Sequence, residues 1–408
     1  MVDIKHLRAH PDDYQTSADL RGLKIDTKKL IAQDDKRLKL LAEVEAWRAE
    51  LNVKGKPTPA ELKKLQQTKE RLEGGESELA KVRAEVEAML ADVPNLLAPD
   101  TPKGGEEANR EEKRWGEAKA SSSAKDHVSL AQSQGWLDFE RAAKTSGNKF
   151  YFLKGPAVRL EMAVLKLVMD LLEAQNFTLI SPPHLVNSRV AAGTGFLPRG
   201  EERQVYKIED EDLYLIATAE LPLTGYHADE ILDPTKLPLK YAGLSPSYRR
   251  EAGAYGKHSH GLYRVHQFDK LEMYIFCAPE DSHEWLKRLV AIEEEICQQL
   301  EIPYRLTRTA AGDMGAPHYQ KYDLEYWSPV DNKYLELTSA SNCTDFQARR
   351  LNIRTRTDEA KTTYVHTLNA TAMAYSRIFI ALIENHQNAS GEVNIPQALR
   401  PYFGASTL

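Results

Sequence analysis

The chain has 408 residues, room for two to three domains at roughly 150 residues each. Apolar residues make up 42% and charged residues 28%, an ordinary globular composition that can bury a large core. With 54 Lys and Arg against 60 Asp and Glu the net charge is −6, which excludes coating nucleic acid by bulk charge but leaves room for a local basic patch. Cys277, Cys297 and Cys343 are far apart and form no CxxC pair, which argues against a disulfide scaffold or a Cys-rich zinc site. The best apolar stretch, 160–174, is interrupted by Glu161, Lys166, Asp170 and Glu173, whereas a membrane-spanning helix needs about 20 apolar residues. The N-terminus reads as neither a signal nor a transit peptide, so a cytoplasmic location is expected.

The first helix is expected over 27–53, with Leu30, Leu41, Val44 and Leu51 on one stripe. Gly55-Lys-Pro-Thr-Pro59 stops it. A second helix follows over 60–93, where Leu65, Leu72, Leu79, Val86 and Val93 recur every seven residues as a coiled-coil seam. Together they make an antiparallel hairpin whose arm of about 26 residues reaches roughly 40 Å. Gly74-Gly75 should kink or fray the second arm, at about 1 kcal/mol per glycine. Near the tip, Arg48, Lys54, Lys56, Lys63, Lys64, Lys69 and Arg71 outnumber Glu50, Glu61 and Glu70. A basic end on a long arm suits a phosphate backbone; a solvated structural spacer is the other reading.

Pro94, Pro99, Pro102, Gly104-Gly105 and Ser121-Ser-Ser123 read as linker. The organisation expected is an N-terminal domain over 1–100 with its hairpin at about 27–93, a linker over 101–125 and a second domain over 126–408. Beyond the linker a helix is expected over 160–175 and a strand over 177–180, ended by Pro182-Pro183. Short strands follow at 213–216, 273–277, 322–327 and 333–337, with helices over 282–300 and 370–388. This grouping is α+β with a mainly antiparallel sheet, not a βαβ alternation.

No Walker loop, dinucleotide-binding glycine motif, HExxH or GxSxG is present. Three clusters could carry chemistry. In Tyr248-Arg249-Arg250-Glu251, Arg249 and Glu251 would face one side of a strand, and a fixed guanidinium suits a phosphate or carboxylate; a surface ion pair is the plainer reading. In Glu336-Leu-Thr338-Ser339, an acid followed by hydroxyls could hold Mg²⁺ with the help of substrate phosphates, or form a turn. His366-Thr-Leu-Asn369-Ala-Thr371, running to Ser376-Arg377, would open the last helix, with Asn and Thr as caps and Arg377 in need of an anionic partner.

In order and spacing these clusters resemble the three signature motifs of class II aminoacyl-tRNA synthetases, and more narrowly the bacterial-type seryl-tRNA synthetase family. The resemblance runs nearly end to end. It includes Leu137-Asp-Phe-Glu-Arg-Ala-Ala143, Phe150-Tyr-Phe-Leu-Lys-Gly155, Thr218-Ala-Glu220, His266-Gln-Phe-Asp-Lys270, Gly312-Asp-Met-Gly315, Phe346-Gln-Ala-Arg-Arg350 and Glu384-Asn-His-Gln387. It implies a class II catalytic domain with a six- to seven-stranded antiparallel sheet, an N-terminal helical hairpin, and a homodimer joined through the helix at 160–175 and the strand after it. It implies that ATP and Mg²⁺, without zinc, serve a serine–tRNA ligase reaction through a seryl-adenylate. ATP would meet Arg249, Glu251, Val265, Phe268, Glu336, Leu337, Thr338, Ser339 and Arg377, with Arg249, Arg377 and Glu336 central to catalysis and Mg²⁺ on Glu336 and Ser339. L-Serine would meet Thr218, Ala219, Glu220, Arg249, Glu272, Asn369 and Thr371. The hairpin arm would reach tRNA(Ser), with tRNA(Sec) as a second candidate, and no membrane is involved.

The sequence departs from the family pattern at Phe196, Ala217, Arg250, Ala370 and Ser376, none of which is an expected ligand. The roughly 30 residues after Arg377 leave no room for a C-terminal anticodon-binding domain, as expected for serine rather than threonine, proline or histidine. Two rivals are a carrier-protein aminoacyl ligase, which would lack the hairpin and use a Cys-held zinc, and a non-catalytic paralogue, which would have lost Arg249, Glu336 or Arg377.

Overall fold

The computed structural model describes residues 2–52, 58–120, 124–197, 204–251, 260–358 and 361–408. The turn expected at Gly55–Pro59 falls largely outside them, as do Lys54 and Lys56 of the basic tip. The chain divides into two compact units, Met1–Leu96 and Leu97–Leu408. Among the described residues no helix is long and apolar enough to cross a membrane.

In the first unit two short helices, Ile4–Ala9 and Pro11–Leu20, precede α1 (Thr27–Leu51) and α2 (Pro59–Asp92). Asp26 caps α1 by accepting from the Lys29 N–H. Thr58 and Glu61 form a reciprocal capping box at the start of α2. The helices run antiparallel. Lys36 bonds Glu78 at 2.8 Å, Arg48 bonds Glu76 at 2.6 Å, and Thr68 bonds Glu50 at 3.3 Å, so rising numbers on one arm meet falling numbers on the other. Along the expected seam Leu79, Val86 and Val93 are buried, while Leu65 and Leu72 are half-buried.

The expected break at Gly74-Gly75 does not occur; α2 is continuous through both. Gly75 is small because Trp47 of α1 lies on it: a Cβ there would meet Trp47 Cζ3 at 2.4 Å. A Cβ on Gly74 would meet nothing within 4 Å. Gly74→Ala should therefore raise the melting temperature of the hairpin by the equivalent of about 1 kcal/mol, and Gly75→Ala should lower it by about 1–3 kcal/mol. Helix ellipticity followed on heating distinguishes the two.

Among the described residues, the second unit is built on an eight-stranded sheet. Its strands are β1 (Arg110–Trp115), β2 (Thr178–Ile180), β3 (Leu239–Tyr248) and β4 (Gln267–Cys277), then β5 (Tyr304–Arg308), β6 (Gln320–Ser328), β7 (Lys333–Thr344) and β8 (His366–Ala374). The spatial order is β1-β5-β6-β7-β8-β4-β3-β2. All pairs are antiparallel except β2 with β3, which are parallel at the edge, so the sheet has one more strand than expected and is not wholly antiparallel. The segment assigned to a linker carries β1, whose register with β5 pairs Arg110 with Arg308 and Trp115 with Tyr304. Its six residues, Arg-Glu-Glu-Lys-Arg-Trp, are all exposed, and charges suit an edge strand.

Three helices cover the sheet and feed its core. α3 (Pro156–Ala174) opens on a proline and buries Leu160, Val164, Leu167, Val168 and Leu172 at helical spacing. α4 (Ser282–Gln299) buries Leu286, Leu289, Ile292 and Ile296 and lies on β7 and β8. α5 (Tyr375–His386) follows β8 directly. The last helix thus starts at Tyr375, five residues later than expected, and 366–374 is a central strand. Ala370, Ala372 and Ala374 have the propensity of a helix, but a strand buried on both faces shows no alternation to reveal it. The three cysteines are buried and none is in a disulfide.

Candidate active site

A cavity opens above the middle strands, lined by residues from β4, β7, β8, the start of α5 and the segment after β3. Its walls include Arg249, Glu251, Val265, Phe268, Glu336, Leu337, Thr338, Ser339 and Arg377, every residue expected around ATP. Three segments distant in sequence therefore converge on one space.

The Arg249–Glu251 segment is not strand, contrary to the two-residue alternation expected there. β3 ends at Tyr248, and Glu251 has φ of +48°. Arg249 is placed instead by its surroundings. Its N–H donates to His266 O at 2.9 Å, its Nε donates to Ala217 O at 3.3 Å, and its guanidinium lies 5.3 Å from the centre of the Phe268 ring. Glu251 meets Arg264 at 3.4 Å.

Glu336 and Ser339 sit in mid-strand, not in a turn. Glu336 pairs with Glu325 and Thr338 with Leu324, so Leu337 is an extra residue, a bulge. Without it, residues three apart would face opposite sides of the sheet. With it, Glu336 and Ser339 share a face and both line the cavity. Arg377 Nη1 lies 3.2 Å from Glu336 Oε1, over the Tyr263 ring at 4.7 Å, while Tyr263 donates its hydroxyl to Glu336 O at 3.0 Å. Glu336 remains 40% exposed and so faces the open space.

The electrostatics are those of a site built for an anion. Burial opposes the charge on Arg377, but Glu336 lifts its pKa above the usual value. Burial would raise the Glu336 carboxyl, but Arg377 and then Lys321 hold it well below the carboxylate range. Arg249 is pulled down by burial and then by repulsion from Arg377. Two guanidinium groups close enough to repel each other await a polyanion.

Of the expected serine residues, Arg249 and Thr371 line this cavity, while Thr218, Ala219, Glu220, Glu272 and Asn369 are buried and do not line it. One chain of contacts joins them to it. Lys270 donates to Thr218 Oγ1 at 3.1 Å and pairs with Glu272 at 2.5 Å, and Glu272 accepts from the Thr371 hydroxyl at 3.3 Å. Asn369 and Thr371 lie on β8, not at a helix start. A second network holds Glu220, whose Oε1 accepts from Asn369 at 3.1 Å and from Gln347 at 2.7 Å. Gln347 in turn accepts from Tyr274 at 2.8 Å and Thr367 at 2.7 Å.

Burial, then the nearby Glu272, raises Glu220 from 4.5 to about 7. Between those values the folded protein holds a proton that the unfolded chain has released. Stability is therefore greatest below the lower value and falls as pH rises through the upper one. Replacing Glu220 by Gln should abolish this decline: between pH 5 and 7.5 the wild type should lose about 2 kcal/mol relative to Glu220→Gln in urea unfolding.

Sequence reasoning missed Lys270, Tyr263, Arg264 and Gln347. Lys270 carried a signal, since it stands two before Glu272 and so shares its face on a strand. Tyr263 and Arg264 carried none in their spacing.

The profile of the tRNA synthetase class II core domain (G, H, P, S and T) matches residues 205–386, and that of the seryl-tRNA synthetase N-terminal domain matches residues 1–97. The chain is 46% identical over 421 residues to a serine–tRNA ligase of Dictyoglomus turgidum, covering 100% of this chain and 99% of that protein. The chain belongs to the seryl-tRNA synthetases. Among solved seryl-tRNA synthetase structures, that from Pyrococcus horikoshii complexed with ATP superposes with a TM-score of 0.94 at 38% identity, covering 100% of this chain and 99% of that one. The cytoplasmic serine–tRNA ligase of Naegleria fowleri in complex with AMP superposes with a TM-score of 0.89 at 28% identity, covering 100% and 98%. Membership in the seryl-tRNA synthetases sets aside the carrier-protein ligase at the level of family, and Arg249, Glu336 and Arg377, whose loss would mark a non-catalytic paralogue, are all present.

Proposed function

We propose that this chain activates L-serine with ATP to seryl-adenylate and then transfers serine to the 3′ end of tRNA(Ser). The convergence of Arg249, Arg377, Glu336 and the Phe268 ring in one cavity carries the reading. Serine's carboxylate attacks the α-phosphorus of ATP in line and pyrophosphate leaves. Both reactants are anions, and the two guanidinium groups offset their repulsion and fix their geometry. The nucleophile is already ionised at neutral pH, so no protein base is required.

In this reading Arg249 meets the α-phosphate and the serine carboxylate, and Arg377 the γ-phosphate. Phe268 stacks on the adenine, Glu251 accepts from its amino group, and Val265, Leu337 and Thr338 close around it. Mg²⁺ fits the donor set: an ionised, cavity-facing Glu336 and a Ser339 hydroxyl, turned to one side by the Leu337 bulge, with phosphate oxygens as the remaining ligands. When bound, the ion neutralises charge developing on the phosphates. Among the described residues no cluster of three or more His, Cys, Asp or Glu is arranged to hold a metal by itself.

Thr218, Ala219, Glu220, Glu272, Asn369 and Thr371 form the serine pocket. Its buried polar groups would be left unpaired by alanine, which is how such a site rejects a smaller competitor. The α1–α2 hairpin reaches tRNA, with tRNA(Sec) as a second substrate. The exposed Val158 and Met162 of α3 support a homodimer through that helix. A cytoplasmic setting belongs to the same reading. Charging assays with radiolabelled serine test the tRNA assignment. tRNA(Ser) with its long variable arm should be charged, and the same tRNA lacking that arm should be charged poorly. Equal charging of both would count against the hairpin's role.

A further inference from the structure

Two side chains of α5 stand seven residues apart, two turns on one face: Arg377, in the cavity, and Glu384, outside it. Both reach toward the same stretch of chain, residues 261–264. Arg377 does so through the Tyr263 ring at 4.7 Å. Glu384 does so through a histidine. Its Oε1 lies 2.9 Å from His127 Nδ1 and accepts from the His127 N–H at 3.2 Å, while its Oε2 accepts from the Ser328 hydroxyl at 2.9 Å. On the far side of the ring, His127 Nε2 accepts from the Leu262 N–H at 3.2 Å. Leu262 is buried and immediately precedes Tyr263.

The tautomer follows from the partners. A backbone N–H can only donate, so Nε2 must offer a lone pair and the ring proton must sit on Nδ1, pointing at Glu384. An imidazolium could not make both contacts. The approach is close enough to exclude a side chain at Gly261: its φ is +63°, and a Cβ there would lie 2.1 Å from His127 Nε2.

We propose that His127 is a positioning residue for ATP: with Glu384 it fixes the Leu262 backbone, and so sets the wall formed by Tyr263, Arg264 and Val265. This rests on the assignment of the cavity to ATP. His127 touches no part of the cavity itself. Tyr263 transmits the effect, because it supports the Arg377 guanidinium and bonds Glu336 O at 3.0 Å. Arg264 transmits it to Glu251, at 3.4 Å.

Two isosteres separate the two ring nitrogens. Asn places an amide N–H near Nδ1 and keeps the Glu384 contact but loses the acceptor for Leu262. Gln places a carbonyl near Nε2 and keeps that acceptor. ATP with Mg²⁺ is titrated into wild type, His127→Asn, His127→Gln and Gly261→Ala by calorimetry, and KM for serine is read from ATP–pyrophosphate exchange. His127→Asn and Gly261→Ala should weaken ATP roughly tenfold, the effect of leaving one buried N–H unpaired, while His127→Gln stays within about twofold. KM for serine should not move in any of them. Wild-type ATP affinity in His127→Asn, with only its melting temperature lowered, would overturn the proposal, as would equal weakening in Asn and Gln. Should His127→Asn fail to fold, Gly261→Ala decides alone, and unchanged ATP affinity there is a refutation. A wild-type protein that binds ATP but shows no serine-dependent exchange sinks the serine reading and leaves the His127 comparison intact; one that binds no ATP overturns both.

Discussion

Arg377→Ala is expected to lower serine-dependent ATP–pyrophosphate exchange on the order of 10³-fold, with most of the loss in kcat. The guanidinium is held on two sides, by Glu336 at 3.2 Å and by the Tyr263 ring at 4.7 Å, so it costs little to orient when substrate arrives. Its removal takes positive charge from a site where Arg249 alone would face ATP and serine. It also leaves the Glu336 carboxylate without its nearest cation, so that its negative charge repels the phosphates. Arg377→Lys keeps the charge but not the fork that spans Glu336 and a phosphate, and should recover about a tenth of the lost rate. Initial rates at saturating serine and ATP check both. Wild-type kcat in Arg377→Ala would remove the residue from the chemistry.

The second large effect concerns Lys270 and Glu272, which lie 2% and 6% exposed for Glu272 and Lys270 respectively and are paired at 2.5 Å. Removing one partner of a buried pair strands the other, at about 3–5 kcal/mol. Glu272→Ala and Lys270→Ala should each lower the denaturation midpoint markedly. A double change of both to Leu leaves no stranded charge and should return most of that stability. Its serine-dependent exchange should nevertheless remain below detection, because Thr218 and Thr371 lose the polar groups that fix them toward the serine pocket. Stability and activity measured on the same double variant separate scaffold from recognition. Recovery of both together would mean that the pair is structural only.

What the sequence made legible follows from burial geometry. α1, α2, α3 and α4 each present one apolar stripe, and amphipathic periodicity locates them to within a few residues. β8 hides because both its faces are buried and three alanines fill it. β1 hides for the opposite reason: its residues are all exposed, so no hydrophobic pattern marks it. At the site, residue type and spacing suggested Arg249, Glu336 and Arg377, and the family resemblance supplied their company. Gln347 and His127 were beyond reach. The contacts that matter span more than a hundred residues of sequence, and only the folded chain brings Gln347 to Glu220 or His127 to Leu262 and Glu384. The glycine at 75 was misread as weakness, since nothing in the local pattern reveals the Trp47 ring that needs its space.

The central claim is that this cavity activates serine. ATP–pyrophosphate exchange by the purified protein with Mg²⁺, without tRNA, comparing serine with threonine, alanine, glycine and cysteine, tests it most directly. The account predicts exchange that depends on serine and is negligible with the other four. Exchange with none of them, from folded protein, would contradict it, and a preference for alanine or glycine would assign the cavity to a different amino acid.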